Sequence, residues 1–178
     1  MILIIEEFIQ IVKMKYSNIK YFSTINGSGV RTAVFVSGCD MNPHCKGCFN
    51  QVAWDFNHGS DFTDEVIDKV LESITPAYNS GLSILGGEPL AEKNLDGVAH
   101  LIQRFREKFG NSKNIWLWSG YYVKDMPESK LKVAKMCDYI VDGPFEKCLF
   151  NDKLRFKGSS NQTVWHVEND EFVISKYN

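Results

Sequence analysis

Hydrophobic positions along this chain follow two alternating spacings. Val66, Ile67, Val70, Leu71 and Ile74 recur at the three- and four-residue interval of one helical face. Thr63 stands where an N-cap belongs, and Asp64 and Glu65 fall in the first turn, where the helix dipole favours acids. Leu95, Val98, Ile102, Phe105 and Phe109 mark a second face, closed by Gly110, and a shorter helix is expected around Lys130 to Met136. Between them lie short apolar or β-rich runs at 31–37, 82–85, 115–118 and 139–141. Each run ends in glycine or polar residues: Gly38, Gly86-Gly87, Ser119-Gly120 and Asp142-Gly143-Pro144. Strands alternating with helices predict a parallel α/β sheet, and in such sheets ligands gather at the carboxyl ends of the strands. A full eight-unit barrel takes about 250 residues. The 178 residues here allow only a partial, open (β/α) barrel.

The N-terminal residues 1–14 break the pattern. Ile2, Leu3, Ile4, Ile5, Phe8, Ile9, Ile11 and Val12 are apolar, but Glu6 and Glu7 interrupt them and no early Lys or Arg supplies the positive start of a signal peptide. The stretch is also shorter than the roughly 20 residues of a membrane-spanning helix. It reads either as an amphipathic helix packed on the domain or as a dispensable extension ahead of a start at Met14. Residues 15–168 read as a single domain and 169–178 as a C-terminal tail, with no repeat or interdomain linker.

Composition narrows the function classes. A content of 44% hydrophobic and 24% charged residues suits one globular domain, and 20 Lys+Arg against 22 Asp+Glu leave no positive excess for tracking a phosphate backbone. Neither nucleic acid nor membrane is an expected partner. Five cysteines are an odd number for a secreted disulfide framework, and with no export signal the cytoplasm is the expected location.

Three of those cysteines, Cys39, Cys45 and Cys48, form a C-x5-C-x2-C pattern in the loop 38–60. Soft sulfur donors select zinc, Cu(I) or an iron–sulfur cluster. A structural zinc site normally wants four ligands, and the nearby His44 adjoins Cys45, so their side chains tend to diverge. Three ligands to a cubane would instead leave one iron open for substrate. Cys137 and Cys148 match no ligand spacing and are expected to be structural; His58, His100 and His166 are expected to be non-catalytic.

Taken together and in order, these segments resemble the radical S-adenosylmethionine enzymes, specifically the activating enzymes of anaerobic (class III) ribonucleoside-triphosphate reductase. The resemblance covers 16–165. It rests on Asn26-Gly27-Ser28-Gly29-Val30-Arg31, on Phe35-Val36-Ser37-Gly38-Cys39, on Gly47-Cys48-Phe49-Asn50-Gln51 with Trp54, and on Gly86-Gly87-Glu88-Pro89-Leu90. Further landmarks are Trp116-Leu117-Trp118-Ser119-Gly120-Tyr121, Val141-Asp142-Gly143 and Gly158-Ser159-Ser160-Asn161-Gln162. The family pattern is usually C-x3-C-x2-C. Two extra residues enlarge this loop, and Asn42-Pro43 within it is turn chemistry.

The resemblance implies a barrel of about six units and an oxidoreductase. Cys39, Cys45 and Cys48 would hold a [4Fe–4S] cluster whose fourth iron chelates S-adenosylmethionine. Gly47, Cys48 and Phe49 would lie near the adenine. Gly86, Gly87, Glu88 and Pro89 would receive the amino end, Glu88 accepting from the ammonium, and Ser119 and Tyr121 would add hydrogen bonds. Asp142 would line the rim, and Arg31 would anchor the cluster loop or meet an acidic partner. Plainer readings stand beside these: core for Phe49, a solvated strand end for Arg31, a turn for Asp142, and a strand-to-helix turn for Gly86-Gly87. An electron from flavodoxin or ferredoxin would cleave the cofactor to a 5′-deoxyadenosyl radical, which would take a hydrogen from a glycine of the large reductase subunit. No catalytic residue beyond the cluster ligands is needed. A radical enzyme acting on another glycyl-radical protein or a small molecule, and a zinc-binding interaction module, are the alternatives.

Overall fold

The computed structural model describes residues 14–178, so the expectations for the N-terminal stretch lie outside the described residues except at Met14, which is buried in the core. The strands are β1 (Lys15–Ser23), β2 (Val30–Val36), β3 (Ser60–Asp61), β4 (Asn79–Gly86), β5 (Asn114–Trp118), β6 (Tyr139–Asp142), β7 (Thr163–Glu168) and β8 (Glu171–Ile174). The helices are α1 (Asp64–Ile74), α2 (Leu95–Phe109) and α3 (Glu128–Ala134). One sheet holds all eight strands in the order β3-β1-β2-β4-β5-β6-β7-β8. Its four central strands are parallel, and each successive pair among them is joined through one helix. The outer strands pair antiparallel on both sides. The architecture is therefore mixed α/β with an unclosed sheet. The expected count of about six βα units is corrected to three, because the flanking strands carry no crossover helices.

The helical spacings land where the periodicity puts them. Ile67, Val70, Leu71 and Ile74 of α1 and Val98, Leu101, Ile102 and Phe105 of α2 are buried against Val34, Leu82, Ile84, Ile115, Leu117 and Ile140 of the strands. Thr63 is the N-cap residue of α1 and Gly110 closes α2, though Thr63 makes no side-chain capping bond. Among the described residues no helix is long and apolar enough to cross a membrane.

Successive side chains of a strand point to opposite faces, so the helix-free face is set by the alternate residues. Register stacks them in two layers. Ala33, Ser83, Trp116, Tyr139 and His166 align in one, and Phe35, Leu85, Trp118, Val141 and Val164 in the next, nearer the carboxyl ends of the parallel strands. In the first layer Trp116 stacks on Tyr139 at 4.5 Å and meets Phe156 edge-on at 4.9 Å, and Tyr177 packs at 5.4 Å. The stretch 169–178 thus contributes both a sheet strand and a ring to this inner face.

Below these layers, at the amino end of β2, Arg31 is completely buried. Its Nε donates to Ser83 Oγ at 2.8 Å, Nη1 to Asn114 Oδ1 at 2.7 Å and Ser28 O at 3.1 Å, and Nη2 to the carbonyls of Leu82 and Asn114 at 2.6 and 2.8 Å. All five acceptors are neutral, and burial lowers its pKa to about 9. Arg31 is neither a solvated strand end nor an anchor of the cysteine loop, which leaves β2 at the opposite end. It ties β2, β4 and β5 together. Arg31→Met keeps the stem but orphans these buried acceptors, and urea unfolding should show a loss of about 2–4 kcal/mol. A loss below about 0.5 kcal/mol would mean that the five bonds do not hold the sheet.

Candidate functional site

The carboxyl ends of the parallel strands open into one cleft of about 270 Å³. Its apolar floor is the upper inner layer, Phe35, Leu85 and Trp118. Cys39, Cys45, Cys48, Phe49, Gly86, Gly87, Glu88 and Ser119 all line it, as do Gly158 and Gln162. Gly47 and Pro89 do not. Gly47 is exposed beside the Lys147 stem, and Pro89 is buried.

The cysteine loop is held by its own backbone. Gly38 N–H donates to Ala53 O at 2.8 Å and Cys39 N–H to Trp54 O at 3.1 Å, so the departing and returning strands of the loop pair. The His44 ring stacks on Trp54 at 4.2 Å and its Nε2 donates to Cys39 O at 3.1 Å. That contact closes the enlarged segment between Cys39 and Cys45, and both cysteines still face the cleft. Cys48 N–H donates to Cys45 O at 3.1 Å, and Asn50 N–H reaches Cys48 Sγ at 3.4 Å.

Gly86 and Gly87 bring the β4 turn against this loop. Gly87 N–H donates to Val36 O and Glu88 N–H to Gly38 O, both at 2.8 Å. A Cβ at Gly87 would stand 2.7 Å from Ala53 O and closer still to Gly38 O. The glycine pair therefore serves close backbone approach between two protein segments, a role neither sequence reading of it anticipated.

Glu88 is buried, and its carboxylate accepts from Leu90 N–H at 2.9 Å, Ser119 Oγ–H at 2.9 Å and Gly120 N–H at 2.7 Å. Burial pushes its pKa up to about 7. A carboxylate has about four acceptor sites, so one remains, on Oε2. Ser119 also accepts from Tyr121 N–H. Tyr121 itself turns away from the cleft and donates its hydroxyl to Asp40 Oδ1 at 2.7 Å. Asp142, the last residue of β6, is buried and accepts from Val123 and Thr163 N–H groups, and it does not line the cleft.

Several residues here gave no sequence signal. Asn94, an ordinary cap position ahead of α2, is buried and donates to the carbonyls of Ser37, Gly38 and Glu88. Lys130 on α3 is buried, donates to Leu90 O, lies 4.1 Å from the Tyr121 ring centroid and stands 3.8 Å from Asp40. Met41 packs on Gly120. Phe49 corrects the core reading, since it is 76% exposed at the mouth of the cleft. Cys148 is exposed, so the expected packing role falls to Cys137 alone, which is buried in the helix-side core.

The donor set fits an iron–sulfur cluster. Three free thiols face one cleft, and among the described residues no three His, Cys, Asp or Glu side chains gather closely enough to share a single ion. In a cluster each thiolate takes its own iron, so separated sulfurs are accommodated. Burial pushes the Cys39 thiol up to about 11 and raises Cys45 as well, so metal binding must displace those protons. His44, the candidate for a fourth zinc ligand from the sequence, stacks on Trp54 and spends its Nε2 on Cys39 O.

Comparison with known proteins agrees with this chemistry. A family model described as a 4Fe-4S single cluster domain matches residues 25–165. An anaerobic ribonucleoside-triphosphate reductase-activating protein of Salmonella typhi is 35% identical over 156 residues, covering 86% of this chain and 99% of that protein. Proteins of the same name from Escherichia coli (strain K12) and Enterobacteria phage T4 are 34% and 35% identical, with 86% and 85% of this chain and 99% and 94% of theirs covered.

Gly87→Ala tests the backbone approach. It should displace the cysteine loop, lower stability by about 2 kcal/mol or more and leave the anaerobically purified protein with markedly less iron. Gly110→Ala, where no atom lies within 4 Å, should cost only the strain of its positive φ and leave iron content unchanged. Equal iron in the two variants would show that the approach does not govern the site.

Proposed function

Because the chain belongs to the anaerobic ribonucleoside-triphosphate reductase-activating proteins, we propose that it cleaves S-adenosylmethionine reductively at a [4Fe–4S] cluster and forms a glycyl radical on the large subunit of that reductase. One observation carries the reading: three cysteines, a Gly-Gly-Glu turn and Ser119 converge on a single cleft at the carboxyl ends of parallel strands. On this reading the open sheet is the partial (β/α) barrel of the radical S-adenosylmethionine type, and its domain extends beyond the expected 15–168 to take in β8 and Tyr177 of the expected tail.

Cys39, Cys45 and Cys48 would hold three irons and leave one for the amino and carboxylate groups of S-adenosylmethionine. Held there and reduced by an external donor, the cluster would supply the one electron for cleaving S-adenosylmethionine to methionine and a 5′-deoxyadenosyl radical, the chemistry that removal of the glycine hydrogen requires. The chain's own residues position and shield. The remaining acceptor site on Glu88 Oε2 suits the cofactor ammonium, while Leu90 N–H, Ser119 Oγ–H and Gly120 N–H hold the carboxylate in place. Ser119 gives its proton to Glu88, so it acts chiefly by orienting that carboxylate. Phe49 offers an aromatic face to the adenine, with Cys48 beside it, while Gly47 and Pro89, expected to touch the cofactor, lie outside the cleft lining. Phe35, Leu85 and Trp118 keep the floor free of water. No protein general base is required.

A flavodoxin or ferredoxin is the expected donor, and the cytoplasm the expected location. A zinc-binding module would leave the Glu88 and Ser119 arrangement without purpose, and no observation favours a different glycyl-radical partner.

Anaerobic purification should yield about four iron and four sulfide per chain, and stoichiometric zinc without sulfide would overturn the reading. Replacing any one of Cys39, Cys45 or Cys48 by Ala should abolish reductive cleavage; a variant that still cleaves removes that residue from the ligand set. Mixing the reduced protein, S-adenosylmethionine and the large subunit should give a glycyl signal in electron spin resonance.

A further inference from the structure

From Phe49, the ring offered to the adenine, an aromatic surface continues outward over the mouth of the cleft beyond what cofactor binding uses. The Phe49 ring lies 4.8 Å from Phe145 and 6.1 Å from Phe150, and Phe145 lies 6.3 Å from Phe150. Phe49 and Phe145 line the cleft; Phe150, 52% exposed, and Leu149, 38% exposed, continue the surface outward. This rim is braced. Ser160 N–H donates to Leu149 O at 3.0 Å, Glu146 N–H to Ser159 Oγ at 3.1 Å, and Phe150 bridges to Ser159. Lys46 and Lys147 flank it, and neither makes an ion pair among the described residues.

We propose that this rim is the docking surface for the glycine-bearing segment of the reductase, taken as an extended chain with apolar side chains next to the glycine and a carboxylate within reach of Lys46 and Lys147. The inference rests on the function proposed above and adds where the partner binds. A cleft of about 270 Å³ that also receives the cofactor leaves a protein partner room for little beyond the glycine backbone. The side chains on either side of that glycine must then lie on the mouth, where Leu149 and Phe150 are exposed. A clustered apolar surface continuous with a reactive cleft marks an interaction site, unlike single exposed hydrophobics. Among the described residues the other exposed aromatic pair, Phe22 and Tyr78, sits toward the amino ends of the parallel strands, away from the cleft that holds the cysteines.

The test uses the cluster-loaded protein and two residues outside the cleft lining, in Leu149→Asp and Phe150→Asp. Iron and sulfide content, and S-adenosylmethionine cleavage driven by dithionite without partner, should stay within about twofold of wild type. Affinity for the large subunit and glycyl-radical yield should fall about tenfold or more, and Phe150→Leu should restore both. Lys147→Glu should weaken binding less as salt rises. Wild-type affinity and radical yield in both aspartate variants would overturn the proposal. So would a change confined to self-association, which would make the rim a contact between copies of this chain. Absence of both binding and glycyl signal in wild type, with cleavage intact, would instead overturn the functional reading and remove the partner assigned to the rim.

Discussion

The site depends on how closely two backbone segments approach at Gly87, where the carbonyls of Gly38 and Ala53 occupy the space any side chain would need. With no Cβ in the way, the β4 turn and the cysteine loop share hydrogen bonds in register, Gly87 to Val36 and Glu88 to Gly38. That register turns the Glu88 carboxylate under the loop toward Ser119 and Gly120, so the ends of β2, β4 and β5 act as one unit. Asn94 closes the remaining carbonyls, and a buried polar group is stable only when such bonds are complete. The ligand loop is thus held in place by the turn that would receive the cofactor, and neither can shift alone.

The sequence made the helices and central strands legible because both are written in local spacing. The outer strands are not written that way. β1 is mostly half-buried or exposed, so it lacks the alternation that marks a one-sided strand. β7 and β8 did carry a signal. Asn169 and Asp170 both have positive φ, and Asn-Asp between alternating segments is hairpin chemistry, but the polar end reads equally well as a tail.

At the site, the cysteines and the Gly-Gly-Glu turn could be read because their chemistry is distinctive at short range. The arrangement around them could not, because its partners are distant in sequence: Arg31 bonds to Asn114, Tyr121 to Asp40, and Lys130 to Leu90. Burial of a single Arg or Lys, or exposure of a Phe such as Phe49, is decided by tertiary packing that no local pattern encodes. The enlarged C-x5-C spacing is a milder case. Its closure depends on His44 meeting Trp54 and Cys39, a contact visible only once the loop has folded.

An unclosed sheet poses a physical problem for radical chemistry, since its inner face would be open to water along its length. Here the amino half of that face is filled by rings. Trp116, Tyr139, Phe156 and Tyr177 pack together with buried Arg31 against the Trp116 ring, and the Tyr177 hydroxyl meets Ser28 Oγ at 3.2 Å, joining the C-terminal segment to the loop between β1 and β2. Phe156 holds a positive φ of 64°, a conformation that costs about 1–3 kcal/mol for a non-glycine residue, and in it the ring packs on Trp116 while the carbonyl accepts from Trp118 Nε1 at 2.7 Å. The hydrogen bond made in that conformation holds Trp118 in the cleft floor. The aromatic packing takes the place of the strands a closed barrel would have supplied. It leaves the carboxyl end open, where a protein partner can both deliver the reacting carbon and exclude the solvent that the sheet does not.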